Sequence, residues 1–155
     1  MTPTTTRQRL LIPGLAGLYE SLQELVYPLI RVTSGVFLTM HGGQKLFGWF
    51  AGDIDRVAGG FAKFGLEPAL PLAYLVGIVE FFGGLCIALG LFTRFWAAGC
   101  VILLAVAVFR VHLENGFFWT QGGFEYPLMW MLISIAILIR GGGRYSLDRR
   151  LPKEL

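Results

Sequence analysis

Charge is scarce in this chain. Only 15% of its 155 residues are Asp, Glu, Lys or Arg, against 55% that are apolar. Soluble domains carry about 25% charged residues, and one with this composition could hardly cover its own core. Histidine is scarcer still, with only His41 and His112, and cysteine is limited to Cys86 and Cys100. There is no C-x-x-C, which removes the usual redox motif, and small thiols pack well between helices. No Gly-rich phosphate loop, nucleophile motif, internal repeat or low-complexity tract is present. No basic stripe with interleaved aromatics occurs either, so nucleic acid is not an expected partner.

What the chain has in quantity is apolar sequence, arranged in four stretches at about 24–41, 71–91, 95–113 and 124–140. Each is near the ~20 residues that span a bilayer. A backbone in hydrocarbon must satisfy its own hydrogen bonds, so the stretches are predicted to be helices. The expectation is an all-α integral membrane four-helix bundle forming one domain over residues 1–155. Residues 1–23 read as an interfacial N-terminal segment. Arg7 and Arg9 precede an apolar run, as in a signal peptide, but Pro13 interrupts it and no small-x-small cleavage site follows.

Lys and Arg fall unevenly between the two sides. One side has Arg7, Arg9, Arg94, Arg140, Arg144, Arg149, Arg150 and Lys153; the other has Lys45, Arg56, Lys63 and Arg110. The positive-inside rule then predicts a multi-pass protein of the plasma (inner) membrane with both termini cytoplasmic. The first outer connection, about 42–70, contains its own helix signals. Asp53 suits an N-cap, Ile54, Val57, Phe61 and Phe64 recur at helical spacing, and Gly65 suits a stop. A short amphipathic helix in this first outer loop, apolar face down, is expected to cover the outer opening.

Helix parity brings scattered polar residues to the outer mouth. His41 and His112 end helices one and three, and Glu125 lies in the first turn of helix four, with Lys45, Glu114 and Asn115 just beyond. Glycines 42, 43, 122 and 123 are expected to leave the approaches uncrowded. Phe117, Phe118 and Trp119 form either an interfacial aromatic belt or the walls of a site for a flat lipophilic ligand. Counting inward at 1.5 Å per residue places Arg31 and Glu80 at similar depth, which predicts a buried Arg31–Glu80 ion pair. Bis-histidine haem is disfavoured because both histidines sit at the rim, and a metal site of His41, His112 and Glu125 lacks close ligand spacing.

Three stretches carry a family resemblance: "HGGQKLFGWF", "VEFFGGLCIALGLFTRFWAAG", and "NGFFWTQGGFEYPLMW" with the later "GGGRYSLD". Together they resemble the DoxX family of small four-helix membrane proteins, over about residues 25–148. The resemblance implies the helix count and importance for Arg31, His41, Lys45, Glu80 and Glu125. It also implies kinship with the membrane subunit of thiosulfate:quinone oxidoreductase.

The functional expectation is a membrane oxidoreductase subunit that binds quinone non-covalently at the outer mouth. Electrons come from a separate soluble or membrane redox partner. His41, His112 or Glu125 exchanges the quinol protons, and Lys45, Asn115 and Trp119 contact the ligand. Two other readings stand beside it. One is a non-catalytic scaffold or anchor for soluble partners; the other is a small-molecule or proton transporter with Arg31 and Glu80 as relay. Membrane lipid is the expected surrounding, and homo-oligomerisation is compatible with every reading.

Overall fold

The computed structural model describes residues 10–152. Among them are five helices of ten or more residues and no strand. Helix α1 is Ala16–Phe47 and α2 is Ile54–Lys63. Helix α3, Ala69–Leu89, and α4, Thr93–Asn115, are long and apolar enough to cross a membrane. Helix α5 is Glu125–Arg140. Within two residues, α3 and α4 match their apolar stretches, and α5 starts one residue later than expected.

The large difference is α1. Its 32 residues make a rod about 48 Å long, well beyond the ~30 Å hydrocarbon thickness. Residues 16–23, expected to form a separate interfacial segment, run into it without a break, and Pro28 is accommodated inside it. Arg7 and Arg9 lie outside the described residues. At the other end the helix does not stop at His41. It continues through both glycines and Lys45 to Phe47, and Gly48 closes it in the left-handed conformation (φ 69°).

Close packing explains why glycine persists inside that last turn. A Cβ on Gly42 would fall 2.2 Å from the backbone nitrogen of Phe81, and one on Gly43 would fall 2.2 Å from the Trp49 ring. The same logic continues along the α1–α3 contact, where Gly35 meets Gly84 and Ala88, and Gly77 meets Leu46. Small residues let two backbones approach where lipid supplies no hydrophobic drive between helices. These glycines are therefore seams, not clearings around the mouth.

Helices α1 and α3 form one closely packed pair and α4 and α5 another, joined mainly between α3 and α4. Leu38, Ile87, Ala97, Cys100, Leu104 and Ile137 form the central apolar cluster. Cys86 and Cys100 are both free thiols. Outward surfaces stay apolar, with Leu29, Phe95, Ile102, Phe109 and Ile139 all strongly exposed. That pattern suits a lipid solvent. Asp53 caps α2 by accepting from the Asp55 and Arg56 amides, and Gly65 follows its end at φ 67°, as the sequence predicts.

The bundle has two unlike ends. The turn end carries the 90–92 connection and residues 141–152; the mouth end carries loops 48–53, 64–68 and 116–124. At the turn end, Arg31 is 2% exposed and donates through Nη1 to the Ile87 and Ala88 carbonyls (2.6 and 3.0 Å) and through Nη2 to the Tyr145 carbonyl (2.6 Å). Ile87 and Ala88 belong to the last turn of α3, whose carbonyls carry partial negative charge; the Ile87 carbonyl also accepts from the capping Gly90 amide at 3.1 Å. Asp148 does the converse for α4. Its carboxylate accepts from the Phe92 and Thr93 amides (2.6 and 3.1 Å) and from the Thr93 hydroxyl (2.6 Å). A cation thus closes one helix and an anion opens the next, across a single turn.

Candidate functional site

The expected Arg31–Glu80 pair is not formed. Glu80 instead bonds Lys45, Nζ to Oε2 at 2.6 Å, with the two side chains 10% and 15% exposed. The reason is the length of α1. Six further helical residues after His41 carry Lys45 to the level of Glu80, while Arg31 lies 14 residues, about 21 Å, back along the same helix. Depth counted from His41 as the helix end placed Glu80 opposite the wrong turn. Arg31 meets the end of α3 instead.

Glu80 sits in a π-helical segment, Val79–Gly83, and His112 ends a second one, Ala107–His112. Such wide turns are rare and concentrate at functional sites. Here they flank one region. A cavity of about 260 Å³ opens at the mouth end between α1, α4 and α5, and His41, Glu80, His112, Tyr126 and Trp130 contribute to its walls. Phe37, Leu38 and Leu104 make its apolar lining, and Trp119 with Gly122 and Gly123 forms the rim.

Each polar residue has a definite setting. The His112 Nδ1 lies 2.6 Å from the Gly122 carbonyl. A carbonyl only accepts, so Nδ1 carries the hydrogen, and Nε2 is the acceptor nitrogen of the neutral ring. Asn115 donates to the same carbonyl at 3.2 Å. It braces the rim and is not part of the wall. The His41 Nε2 lies 3.4 Å from the Tyr126 hydroxyl, their rings edge to face. The Trp130 indole nitrogen is buried without a hydrogen-bond partner among the described residues. Trp130 also packs against the rings of Phe37 and Tyr126, so its orientation is held by packing.

Several expectations change here. Glu125 does begin α5, but its carboxylate accepts from the Trp119 amide at 3.2 Å and does not border the cavity. It shapes the rim loop. Phe117 and Phe118 are exposed and also stand outside the walls; of that aromatic run only Trp119 contributes. No group of three or more His, Cys, Asp or Glu side chains that could hold a metal ion occurs among the described residues. Tyr126 and Trp130 are wall residues that the sequence reading does not name. Their signal was helical spacing: with Glu125 in the first turn, residues 126 and 130 share a face one turn apart.

Helix α2 does not cover this cavity. It packs on α3 and roofs a second, larger cavity of about 550 Å³ between α3 and α4. Phe61 of α2 lines that space together with Leu72, Val76 and Val79 of α3. Lys45 borders the second cavity, whereas Glu80, Leu104 and His112 border both.

These features define a helical membrane bundle with a ligand-sized, mainly apolar cavity at one end, edged by titratable groups. The chain belongs to the DoxX family, whose profile matches residues 27–113. It is 29% identical over 120 residues to a Bacillus subtilis protein named "Putative oxidoreductase CatD", covering 77% of this chain and 82% of that one. It is 32% identical over 134 residues to "Uncharacterized membrane protein Rv3486" of Mycobacterium tuberculosis, covering 80% of each chain. An uncharacterized Haemophilus influenzae protein is 29% identical over 105 residues, 68% of each. No solved structure matches the chain.

Proposed function

We propose that this DoxX protein is the membrane subunit of an oxidoreductase system and binds a quinone headgroup in the mouth cavity. The observation that carries the reading is the composition of that cavity. Its walls are mainly apolar, as a flat ring requires. Tyr126, Trp130 and His41 meanwhile offer donors to ring carbonyls, while His112, its Nδ1 hydrogen held by the Gly122 carbonyl, offers Nε2 as an acceptor to a ring hydroxyl of the quinol. The cavity's volume, about 260 Å³, falls just below the ~300–1,000 Å³ usual for ligand pockets. A ring fits that scale better than a whole lipid. The oxidoreductase name of the Bacillus relative agrees with this reading.

Reduction of a quinone to a quinol takes two electrons and two protons. Electrons come from a redox partner, since the chain carries no cofactor motif of its own. His112 and His41 are the proposed proton-exchanging groups, with Glu80 beside them; Glu125 is assigned the rim. The turn end is proposed to be cytoplasmic. Among the described residues it carries Arg94, Arg140, Arg144, Arg149 and Arg150, against Lys45, Arg56, Lys63 and Arg110 at the mouth. Arg7, Arg9 and Lys153, outside the described residues, add to the same side if both termini lie there.

The test is quinone-analogue binding to purified protein, compared with His41→Ala, His112→Ala and Trp130→Phe variants that remain monodisperse. Binding by the wild type, weakened about tenfold or more in Trp130→Phe, is expected, as a lost buried hydrogen bond costs about 1–3 kcal/mol. A wild type that binds no quinone, or variants that bind unchanged, would transfer support to the anchor reading.

A further inference from the structure

The two cavities share part of their walls. Glu80, Leu104 and His112 border both, so the spaces are separated only by the thickness of those side chains. Their characters differ. The mouth cavity collects His41, Tyr126 and Trp130, whereas the second is lined almost wholly by aliphatic side chains and Phe61. Its polar groups, Lys45, Glu80 and His112, lie on the side facing the first. Among its lining residues Leu75 is 55% exposed and Ile102 is 67% exposed, so the second cavity opens on the flank of α3 and α4. In a bilayer that flank is lipid.

We infer that the second cavity holds the hydrocarbon tail of the quinone whose ring occupies the mouth cavity, and that the ligand enters from the membrane between α3 and α4, beneath α2. This inference rests on the headgroup reading above and adds the course of the chain. Most of this path is aliphatic, and it meets polar side chains, Lys45, Glu80 and His112, only at its inner end. Phe61 forms its roof and Leu72, Val76 and Val79 its wall. The Lys45–Glu80 pair stands where ring and tail would join. Ring size and polar pattern are then read in one cavity and the presence of an apolar chain in the other.

The experiment compares two probes, a ring-only naphthoquinone and the same ring carrying a decyl chain, on wild type and on substitutions confined to the second cavity. Val76→Trp and Leu72→Trp would fill it, and Val76→Ala would enlarge it without adding bulk. The expected result is that the filling variants lose about tenfold or more in affinity for the decyl probe, since burial of each methylene contributes severalfold. Ring-only binding should stay within about twofold, and Val76→Ala should keep the preference for the decyl probe. Filling variants that bind both probes like wild type, or lose both equally, would overturn the tail placement while leaving a quinone ring site in being. A wild type that binds neither probe would remove the headgroup reading and this inference together.

Discussion

The Lys45–Glu80 pair gives the most exposed test of the bundle's register. Both side chains are largely withdrawn from solvent, and the contact is short at 2.6 Å. Removing one member of such a pair leaves the other charge poorly solvated and typically costs about 3–5 kcal/mol. The two single losses are not expected to be equal. With Glu80 gone, the long Lys45 side chain can turn toward the nearby interface. With Lys45 gone, Glu80 stays in the wall of the cavity with no such reach. Lys45→Met should therefore cost more than Glu80→Leu. At about 2–4 °C per kcal/mol for a chain of this size, Lys45→Met should lower the melting midpoint by about 10 °C. Lys45→Met combined with Glu80→Leu should recover much of that, because an apolar pair of similar volume replaces a buried ion pair at little cost. The assay is thermal unfolding of all four proteins in one detergent, with Arg31→Met cycled against Glu80→Leu as a control. Additive Lys45 and Glu80 losses, or a coupling of Glu80 to Arg31 instead, would refute the register.

Three further outcomes are expected. Gly42→Ala should destabilise by about 1–3 kcal/mol, since the added methyl meets the Phe81 backbone and neither helix can yield without the other; an unchanged melting midpoint would contradict the close α1–α3 seam. Asp148→Ala should cost about 1–2 kcal/mol through loss of the cap on α4, and proteolysis should then cut the 141–152 segment faster; equal cleavage would deny it that anchoring role. A reporter active only in the periplasm, fused after Leu155, should stay silent in a bacterial host; a strong signal would reverse the proposed orientation and turn the mouth cavity to the cytoplasm.

Much of the fold could be read from composition because lipid imposes few solutions. Long apolar runs without backbone partners must be helical, and a tight connection between α3 and α4 follows from their spacing; it falls at 90–92. The short amphipathic helix was equally plain, since Asp53 and Gly65 mark its ends by local chemistry. The true end of α1 was not legible for a physical reason. His41, Gly42, Gly43, Gln44 and Lys45 are a poor helical sequence in isolation, as glycine costs about 1 kcal/mol relative to alanine. Tertiary packing reverses that preference here. Only Gly fits beside Phe81 and Trp49, and the helix continues because α3 is there to receive it. The partner of Glu80 depends on that helix end, because the continuation past His41 is what brings Lys45, and not Arg31, to its level. The π-helical segments left no signal at all, since their extra residue per turn appears in the sequence only as ordinary apolar spacing.

The two ends of the bundle differ in a way that bears on where chemistry can occur. At the turn end the chain termini of α3 and α4 are closed by Arg31 and Asp148, and Leu147 and Asp148 donate their amides back to the Leu89 and Gly90 carbonyls. Gly90 sits at φ 71°, and a Cβ there would fall 2.5 Å from Arg31 Nη1. Nothing larger fits, so this end is specified by interlocking hydrogen bonds. The mouth end is built on the opposite plan. It retains two mainly apolar cavities and two wide turns that place Glu80 and His112 on shared walls, whereas the space at the turn end is polar, lined by Arg140, Arg144, Ser146, Asp148 and Arg149. Each end keeps a buried donor without a partner among the described residues, Arg31 Nε at one and the Trp130 indole nitrogen at the other. A buried donor left without an acceptor costs about 1–3 kcal/mol, and the cavities forgo packing contacts as well. A ligand with an apolar body and carbonyl acceptors would relieve both deficits at once. The rigid end holds the helices in register, and that register is what keeps the unfilled end open.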